Sequence, residues 1–431
     1  MKSSSSYSVP YGRTGLDFEI PARFEPDILT LAPSPGVIDP AQAITKALDD
    51  LIGDIQWADF TDLRSAAVAI NDKTRPVPHK DLLPPLLSKL ESLGLSPEQI
   101  TLIIATGAHT PMTPQEFETI VSKGIIERYP LISHDCDDDE NLVHLGETSR
   151  GTPVWINKVY MDADLRIVVG NIEPHQFQGY SGGVKSAAIG LAGRATINHN
   201  HAMMADHGAR LGEYEHNPSR QDVEEIGRMV GVSFALNTIL NDSKEIIHVA
   251  AGIPVDVMEA CIPLAKSVCQ AEVSAPYDLV IASAGGHPKD INVYQAQKGL
   301  AHATLVTKPG GTVIWVAACP EGAGSRGYES WVKNLTSNQE VLDRFASEGF
   351  RVGPHKAFQI ARDAARVNVL LKSEMDAGFV RQLLLQPVED LQAVIDAVIS
   401  ELPASARLCI MPMANATIPL LPNKSNLAED R

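Results

Sequence analysis

Short apolar runs rich in β-branched residues alternate with stretches of helical period along most of the chain. The predicted strands are 66–70, 100–105, 165–169, 279–283, 312–317 and 408–411. The predicted helices are 81–93, 114–128, 221–230, 255–268 and 388–402, with Thr113 and Ser219 as N-caps of the second and third. Strands that alternate with amphipathic helices predict an α/β fold built around largely parallel sheets.

The length of the chain favours two domains, because 431 residues exceed the usual size of a single hydrophobic core. A helix that gives way to a fresh strand predicts a break between 271 and 276. We therefore predict an N-terminal cofactor-binding α/β domain over 1–272 and a C-terminal α/β domain over 273–407. The remainder, 408–431, is a final strand, which can return to the N-terminal domain, and a polar mobile tail.

Composition and charge narrow the classes of partner. The formal net charge of -17 opposes binding to nucleic acid or to an anionic membrane surface, because both attract Lys and Arg. No segment approaches the roughly 18 uncharged apolar residues of a membrane span, and the N-terminus lacks the apolar run of a secretory signal. The five cysteines have no CxxC spacing, which is typical of reduced thiols. We predict a cytoplasmic protein with no nucleic-acid or membrane partner.

Polar motifs follow four of the predicted strands. Asp72 lies in INDKTRP, His109 in ATGAHTP, His175 in GNIEPH and His287 in AGGHPKD. Because open α/β sheets bind ligands outside the carboxyl ends of their strands, we expect these segments to form the site.

Histidines concentrate in one part of the chain, at positions 175, 199, 201, 207 and 216. They predict a metal or acid/base site, although no HExxH spacing indicates a zinc hydrolase. The loop GYSGGVKS follows the first of them. Gly182 and Gly183 let its backbone approach a ligand and Ser181 offers a hydroxyl, so the loop is suited to a phosphate. It is not a P-loop, and Lys185 can either bind a phosphate or form a covalent link through its amine.

Six segments together resemble the nickel-pincer lactate racemase family, in that family's order and near its spacing. They are DKTRP (72–76), ATGAHTP (105–111), EPHQFQGYSGGVKS (173–186), the Asn200-His201 pair, GGHPKD (285–290) and YQAQK (294–298). Any one of these segments would be a weak signal, whereas their coincidence is a strong one. The chain departs from the family at one place. After its lysine the family usually continues toward a Pro-Gly pair, whereas this chain reads AAIGLAGR, and the difference affects the expected outer wall of the cofactor pocket.

The resemblance implies a cofactor fixed to the protein. Lys185 is similar to the family's lysine, which holds a nickel-pincer nucleotide (pyridinium-3-thioamide-5-thiocarboxylate mononucleotide with nickel) in a thioamide link. The serine and two glycines of the loop named above would contact this cofactor. His201 resembles the single protein ligand to nickel, with His199 as the rival for that role. The other donors belong to the pincer, and a square-planar site of this kind suits Ni(II).

The resemblance also implies racemisation or epimerisation at C2 of a small 2-hydroxy acid. His109 and His175 look like the family's two acid/base histidines, which serve two substrate poses. One removes the hydroxyl proton while a hydride leaves C2 for the pincer ring. Return of the hydride to the other face of the planar 2-keto acid then inverts the configuration.

The carboxylate of such a substrate needs cationic partners, and the resemblance assigns Arg75 and Lys298 to it. Asp72 would orient Arg75, while Tyr294 and Gln295 would line the same pocket. Since these residues fall on both sides of the predicted break, we expect an interdomain active-site cleft. The implied partners are the small anionic substrate and the enzymes that make the cofactor, for a chain that is a monomer or a homodimer.

Two other classes of function stay open at this point. His109, His175 and His201 around zinc would make a hydrolase or lyase, which leaves Lys185 and its glycine-rich loop unexplained. A non-catalytic nucleotide- or metal-binding protein would need no paired acid/base histidines. The motifs address only the hydroxyl and carboxylate of a substrate, so they do not select one 2-hydroxy acid.

Overall fold

The computed structural model of the chain describes residues 4–31, 33–351 and 353–421. Its strands are β1 (Ser4–Tyr11), β2 (Thr14–Pro21), β3 (Asp27–Ile28), β4 (Ala66–Asn71), β5 (Ile100–Ala105), β6 (Leu131–Ser133), β7 (Leu142–Glu147), β8 (Pro153–Asn157), β9 (Leu165–Asn171), β10 (Pro174–His175), β11 (Gly179–Tyr180), β12 (Phe234–Leu240), β13 (Ile246–Gly252), β14 (Gln270–Glu272), β15 (Tyr277–Ser283), β16 (Thr307–Val316), β17 (Asn368–Lys372), β18 (Gln386–Val388), β19 (Leu408–Met411) and β20 (Ile418–Leu420).

Its α-helices are α1 (Pro40–Asp49), α2 (His79–Ser92), α3 (Lys123–Arg128), α4 (Lys158–Met161), α5 (Lys185–Ala188), α6 (Arg194–Ala202), α7 (Pro218–Val230), α8 (Pro254–Cys269), α9 (Val293–Val306), α10 (Arg326–Val332), α11 (Asn338–Glu348), α12 (Pro354–Ala364), α13 (Ala377–Gln382) and α14 (Leu391–Glu401). Short 3-10 helices lie at Trp57–Asp59, Pro97–Gln99, Pro114–Thr119, Asp139–Asn141 and Met203–Ala205. None of the helices in this described part of the chain is long and apolar enough to cross a membrane.

The chain divides into two compact units. The continuous unit is Pro33–Val268, and the terminal unit combines the described residues before it with those from 269 to 421. The predicted break at 271–276 lies within a few residues of this change. The predicted fold class, two α/β units with largely parallel sheets, is confirmed.

The predicted domain boundaries assigned the first residues to the N-terminal domain and let 408–431 return to it, whereas the described residues at both ends belong to the terminal unit. β3 pairs with β19, and the Leu29 amide donates to the Ile410 carbonyl at 2.9 Å. Apolar residues of β1 and β2, such as Val9 and Phe18, are buried in one core with residues of β15, β16 and β19. The tail predicted for the last ten residues falls at 422–431, outside the described part of the chain.

A six-stranded sheet forms the middle of the continuous unit, in the order β13-β12-β9-β4-β5-β6. Its neighbouring strands are parallel except for β12 and β13. The first five residues of β4, AAVAI, are all buried, as expected for a central strand covered on both faces. Alternate residues enter separate cores: Val68 belongs to the core that contains Leu86 of α2, and Ala67 to the core that contains Val223 of α7.

The connections of this sheet place a topological switch point between β4 and β9. From β4 the chain continues through β5 and β6 on one side, whereas β9, β12 and β13 lie on the other. The pairing of β4 with β5 runs to Asn71, but its pairing with β9 ends at Ala69. The two strands therefore separate at their carboxyl ends, where open α/β sheets bind ligands.

The terminal unit has a second six-stranded sheet, in the order β18-β17-β16-β15-β19-β3, with all neighbours parallel. The antiparallel pair β1–β2 and helix α14 cover one face of it. The final predicted strand, 408–411, is β19 of this sheet. Its four residues are buried because it lies between β15 and β3.

Of the two predicted helix caps, one is observed and the other is not. The predicted cap Thr113 is confirmed by a reciprocal capping box with Glu116. The helix predicted behind it is interrupted, because a 3-10 helix ends at Thr119 and α3 begins at Lys123. The predicted cap Ser219 is wrong: Asn217 accepts the capping hydrogen bond of α7, and Ser219 is buried in the first turn.

Candidate active site

The switch point of the continuous unit collects several motifs that the sequence singled out. Asp72 and Arg75 follow β4, His109 follows β5, and His175 ends the short strand β10 after β9. Because β5, β4 and β9 are neighbouring parallel strands, their carboxyl ends lie at one edge of the sheet. In the continuous unit, these segments therefore lie at the same edge of the sheet.

A short hydrogen bond joins Asp72 to His109. His109 Nδ1 donates to Asp72 Oδ2 at 2.7 Å, and Thr74 Oγ1 donates to Asp72 Oδ1 at 2.6 Å. Burial would raise the pKa of Asp72, but the hydrogen bonds from His109 and Thr74 outweigh it and lower the pKa. An ionised carboxylate on Nδ1 holds the proton there and leaves His109 Nε2 as the proton acceptor. The half-exposed His109 ring therefore has the hydrogen bonding that a base would need.

Arg75 meets a carboxylate from the other side of the switch point. Its guanidinium Nη1 lies 3.6 Å from Glu173 Oε1, and both side chains are about one-third exposed. Asp72 contributes only a backbone contact here, because its carbonyl accepts from the Arg75 amide at 3.1 Å while its carboxylate binds His109. The predicted orienting role of Asp72 on the Arg75 guanidinium therefore falls to Glu173 in this structure.

One phenylalanine ring connects His175 to His201. The centroid of the buried Phe177 ring lies 4.8 Å from that of His175 and 4.9 Å from that of His201, edge to face in both pairs. The β10–β11 hairpin sets this arrangement, because His175 pairs with Gly179 and its Nδ1 accepts from the Gln178 amide at 3.3 Å. Two histidines that are distant in sequence thus pack against the same side chain.

The hydrogen bonds of His201 suit a metal ligand. His201 Nδ1 donates to Asn200 Oδ1 at 3.2 Å. Asn200 is fully buried, donates to Asp222 at 2.9 Å and accepts from Gln178 Nε2 at 2.6 Å, so its position is determined. A ring nitrogen that donates to a fixed carbonyl directs the other nitrogen, here Nε2, toward a metal.

His199, the rival ligand, has a different partner. Its Nδ1 donates to Thr152 Oγ1 at 2.7 Å, and Thr152 in turn donates to the buried carboxylate of Asp222 at 2.9 Å. Residues two apart on a helix do not share a face, so His199 and His201 of α6 point in different directions. The arrangement favours His201. The other two members of the sequence cluster, His207 and His216, are exposed.

A buried guanidinium supports the glycine-rich loop from behind. Arg220 of α7 is fully buried and donates to the carbonyls of Tyr180 at 2.9 Å and Gly182 at 3.3 Å. Glu224, one turn further along α7, pairs with it at 2.6 Å. Arg220 carries no distinctive signal in the sequence, since Arg–Glu pairs at this spacing are common on exposed helix faces.

Two glycines permit the path of this loop. Gly182 and Gly183 have φ angles of +89° and +57°. A Cβ at Gly182 would lie 2.5 Å from Ile172 Cγ1, and one at Gly183 would lie 2.7 Å from Met258 Cγ. Any side chain at these positions would therefore move the loop, which leads directly into helix α5.

Lys185 begins α5 and is partly buried. The next residue, Ser186, places its Oγ 3.5 Å from Asn71 Nδ2 at the end of β4. On the other side of the loop, the Ser181 amide donates to the Glu173 carbonyl at 2.7 Å. These contacts bring the Lys185 loop to the sheet edge that carries Asp72 and His175. The Ser181 hydroxyl is buried and has no hydrogen-bond partner among the described residues, which suits a ligand oxygen.

Three predicted substrate-binding residues, Tyr294, Gln295 and Lys298, lie on helix α9 of the terminal unit. Two residues of α12 contact the first of them. Tyr294 Oη lies 3.5 Å from His355 Nε2, and Lys356 Nζ lies 5.0 Å from the centroid of the Tyr294 ring. These contacts hold the Tyr294 ring against α12.

The GGHPKD motif of the terminal unit has a structural use. The Asp290 carboxylate is 1% exposed and accepts from the amides of Gly12 at 2.7 Å and Ala318 at 3.1 Å. It therefore joins the β1–β2 turn to the end of β16.

A protein-only zinc site finds little support. Within the described ranges, the one group that brings three metal-binding side-chain atoms within 4.8 Å is Asp135, Cys136 and Asp137. Arg194 already pairs with Asp137. The imidazoles of positions 109, 175 and 201 do not form such a trio, whereas a cofactor that brings its own donors needs a single protein ligand.

Two family models match separate parts of the chain. Residues 11–212 match the model of the lactate racemase N-terminal domain, and residues 273–418 match that of the lactate racemase C-terminal domain. This chain belongs to the lactate racemase family. The resemblance drawn from six short segments is confirmed, and the chain is a racemase, an isomerase.

Relatives in this family match over most of the chain. The lactate racemase of Thermoanaerobacterium thermosaccharolyticum is 30% identical over 419 residues, 95% of this chain and 97% of that protein. The lactate racemase of Lactiplantibacillus plantarum is 34% identical over 309 residues, 70% of this chain and 72% of that protein.

Two solved structures are similar to this chain over most of its length. The lactate racemase apoprotein of T. thermosaccharolyticum has a TM-score of 0.88 at 27% identity, over 96% of this chain and all of that one. A Thermotoga maritima protein with a TM-score of 0.64 at 17% identity, over 91% of this chain and all of that one, shares the fold.

Proposed function

We propose that this racemase inverts C2 of a small anionic 2-hydroxy acid, with a nickel-pincer nucleotide joined to Lys185 and ligated through His201. One observation carries the proposal: the Asp72–His109 pair, His175 and the loop that leads into Lys185 meet at one edge of the sheet. A base, a second imidazole, a metal-ligand histidine and a nucleophilic amine are the groups that such a reaction requires.

The residues around Lys185 fit such a cofactor. The buried Ser181 hydroxyl has no partner in the described part of the chain, and two glycines keep side chains away from the loop. We assign Ser181, Gly182 and Gly183 to cofactor binding, Lys185 Nζ to the covalent link and His201 Nε2 to nickel. When bound, the cofactor would supply the hydride acceptor.

The protein's own part in the chemistry is to move one proton. His109 Nε2 would accept the hydroxyl proton of the substrate in one pose, and His175 would do so in the other. Asp72 supports the first of these steps, because its carboxylate stabilises the positive charge that His109 acquires. When the reaction runs in the opposite direction, each imidazole would take the opposite role. The imidazole that accepts the hydroxyl proton of one enantiomer would donate a proton when that enantiomer is formed.

The substrate carboxylate would bind Arg75. The 3.6 Å separation from Glu173 is longer than a bidentate ion pair, so the guanidinium can exchange this partner for a substrate carboxylate. We also assign Tyr294, Gln295 and Lys298 of α9 to substrate binding. These residues address the C1 carboxylate and C2 hydroxyl that all 2-hydroxy acids share.

Intact mass spectrometry tests the covalent link. After coexpression with the cofactor-making enzymes, we expect the parent protein to gain the mass of the pincer and Lys185→Ala to gain none. A panel of single-enantiomer 2-hydroxy acids, analysed by chiral chromatography, then identifies the substrate. Racemisation by Lys185→Ala at the parent rate would contradict the proposal.

Substitution of the two imidazoles tests the proton transfer. We expect His109→Ala and His175→Ala each to lower turnover by roughly 10²–10⁴-fold while the adduct at Lys185 is retained. The matched control is His216→Ala, which removes an exposed histidine of the same sequence cluster and should leave turnover unchanged. Parent-like turnover in either of the first two variants would remove that residue from the acid/base role.

A further inference from the structure

A buried histidine lies directly behind the Asp72–His109 pair. His79 is the first residue of α2 and is 1% exposed. Its Nε2 accepts a hydrogen bond from the backbone amide of Asn71 at 3.1 Å. Asn71 is the last residue of β4, at the point where β4 and β9 have ceased to pair. His79 therefore supplies the Asn71 amide with an acceptor at a position where β4 is still paired with β5 but no longer with β9.

The hydrogen bond determines the protonation of His79. Because Nε2 accepts, the proton of the neutral ring is on Nδ1. Burial lowers the pKa of His79 to about 3, against the opposing effect of Asp72, so the ring stays neutral around pH 7. The Nδ1 atom is buried and has no hydrogen-bond partner among the residues that the structure describes. A buried donor without a partner is unfavourable, and an apolar ring at this position would not have one. We therefore attribute the role of His79 to its acceptor atom, Nε2.

The strand end that His79 holds connects both halves of the proposed chemistry. Asp72 follows Asn71 directly and binds His109 Nδ1 at 2.7 Å. The Asn71 side chain lies 3.5 Å from Ser186 Oγ, next to the proposed cofactor lysine. A shift of the Asn71 backbone would therefore move the carboxylate that keeps the proposed base in its tautomer.

We propose that His79 is a positioning residue for racemisation, which fixes the end of β4 through its neutral Nε2 so that Asp72 stays aligned on His109. This inference rests on the proposed function of the Asp72–His109 pair. It differs from a packing role, because it depends on one acceptor atom and not on the shape of the ring.

A matched pair of substitutions separates these roles. His79→Phe keeps a ring of similar shape without the acceptor, whereas His79→Gln places an oxygen close to the position of Nε2. In cofactor-loaded protein we expect His79→Phe to lower kcat about tenfold or more with KM changed less, because the Asn71 amide loses its acceptor. His79→Gln should retain kcat within about threefold. Intact mass should show the same adduct in both variants.

Amide hydrogen exchange supplies a readout that needs no turnover. The Asn71 amide should exchange about tenfold faster or more in His79→Phe than in the parent, and at nearly the parent rate in His79→Gln. A packing role predicts the opposite order of the two variants, since Phe fills the cavity better. The inference is overturned if the order is reversed, if His79→Phe keeps the parent kcat, or if its Asn71 amide stays protected. If the parent protein racemises none of the 2-hydroxy acids in the panel, the proposed function fails. The exchange rate of the Asn71 amide then still decides whether His79 holds the end of β4.

Discussion

Removal of the Arg220 guanidinium should uncouple the glycine-rich loop from α7. In Arg220→Met, the carbonyls of Tyr180 and Gly182 lose a donor, and Glu224 remains as a largely buried carboxylate. Loss of one partner of a buried ion pair typically costs about 3–5 kcal/mol. For a unit of this size we expect the melting temperature to fall by roughly 6–20 °C.

The double variant Arg220→Met/Glu224→Leu separates charge from loop support. It removes the uncompensated carboxylate, so part of the lost stability should return. The loop carbonyls still lack their donor, and we expect adduct formation at Lys185 to stay below that of the parent by intact mass. Thermal unfolding followed by circular dichroism measures the first effect, and mass spectrometry after coexpression measures the second.

An ion pair of the same composition, but with an exposed arginine, is the control. Arg210 pairs with Glu213 at 3.1 Å and its side chain is 70% exposed, so Arg210→Met should leave the melting temperature nearly unchanged. If Arg220→Met unfolds within about 2 °C of the parent, or takes up the cofactor as the parent does, Arg220 does not support the loop.

Three further predictions address single features of the site. The lowered pKa of Asp72 means that its ionised form stabilises the fold above its unfolded pKa and loses this effect as the pH falls through the folded value. The difference in free energy of unfolding between the parent and Asp72→Asn should therefore be constant above about pH 5 and shrink below it, in urea titrations at several pH values; a difference that grows toward acid would contradict the sign. Gly182→Ala should lower stability and adduct formation more than Gly94→Ala, whose Cβ would meet nothing within 4 Å at a similar φ, and equal losses would show that backbone strain alone decides. His201→Ala should lose nickel while it keeps the organic adduct, and His199→Ala should keep both; metal analysis with intact mass would reveal the reverse assignment.

Local patterns predicted those elements whose ends depend on nearby residues. The strand predicted at 100–105 is β5, because an apolar β-branched run between turns suits a central strand wherever it pairs. The capping role of Thr113 depends on Glu116 only three residues away, so it too could be predicted. Ser219 failed as a cap because Asn217 and Pro218 offered the better start two residues earlier.

Long-range partners had no such local signal. The burial of Arg220 follows from the passage of the glycine-rich loop over α7, some forty residues away in sequence. The N-terminal hairpin joins the terminal unit because Val9 and Phe18 find their apolar partners in β15 and β19. Nothing in the composition of either segment specifies those partners, since hydrophobic burial has no direction.

The sequence by itself determined the family, the alternation of strands and helices, and the residue types that carry the chemistry. Only the tertiary structure decided which of these residues meet. It paired Asp72 with His109 and Arg75 with Glu173, and it placed His79 behind the first pair. The physical reason is that motif residues are specified along the chain, whereas hydrogen bonds at a sheet edge depend on which strands become neighbours and where their pairing ends.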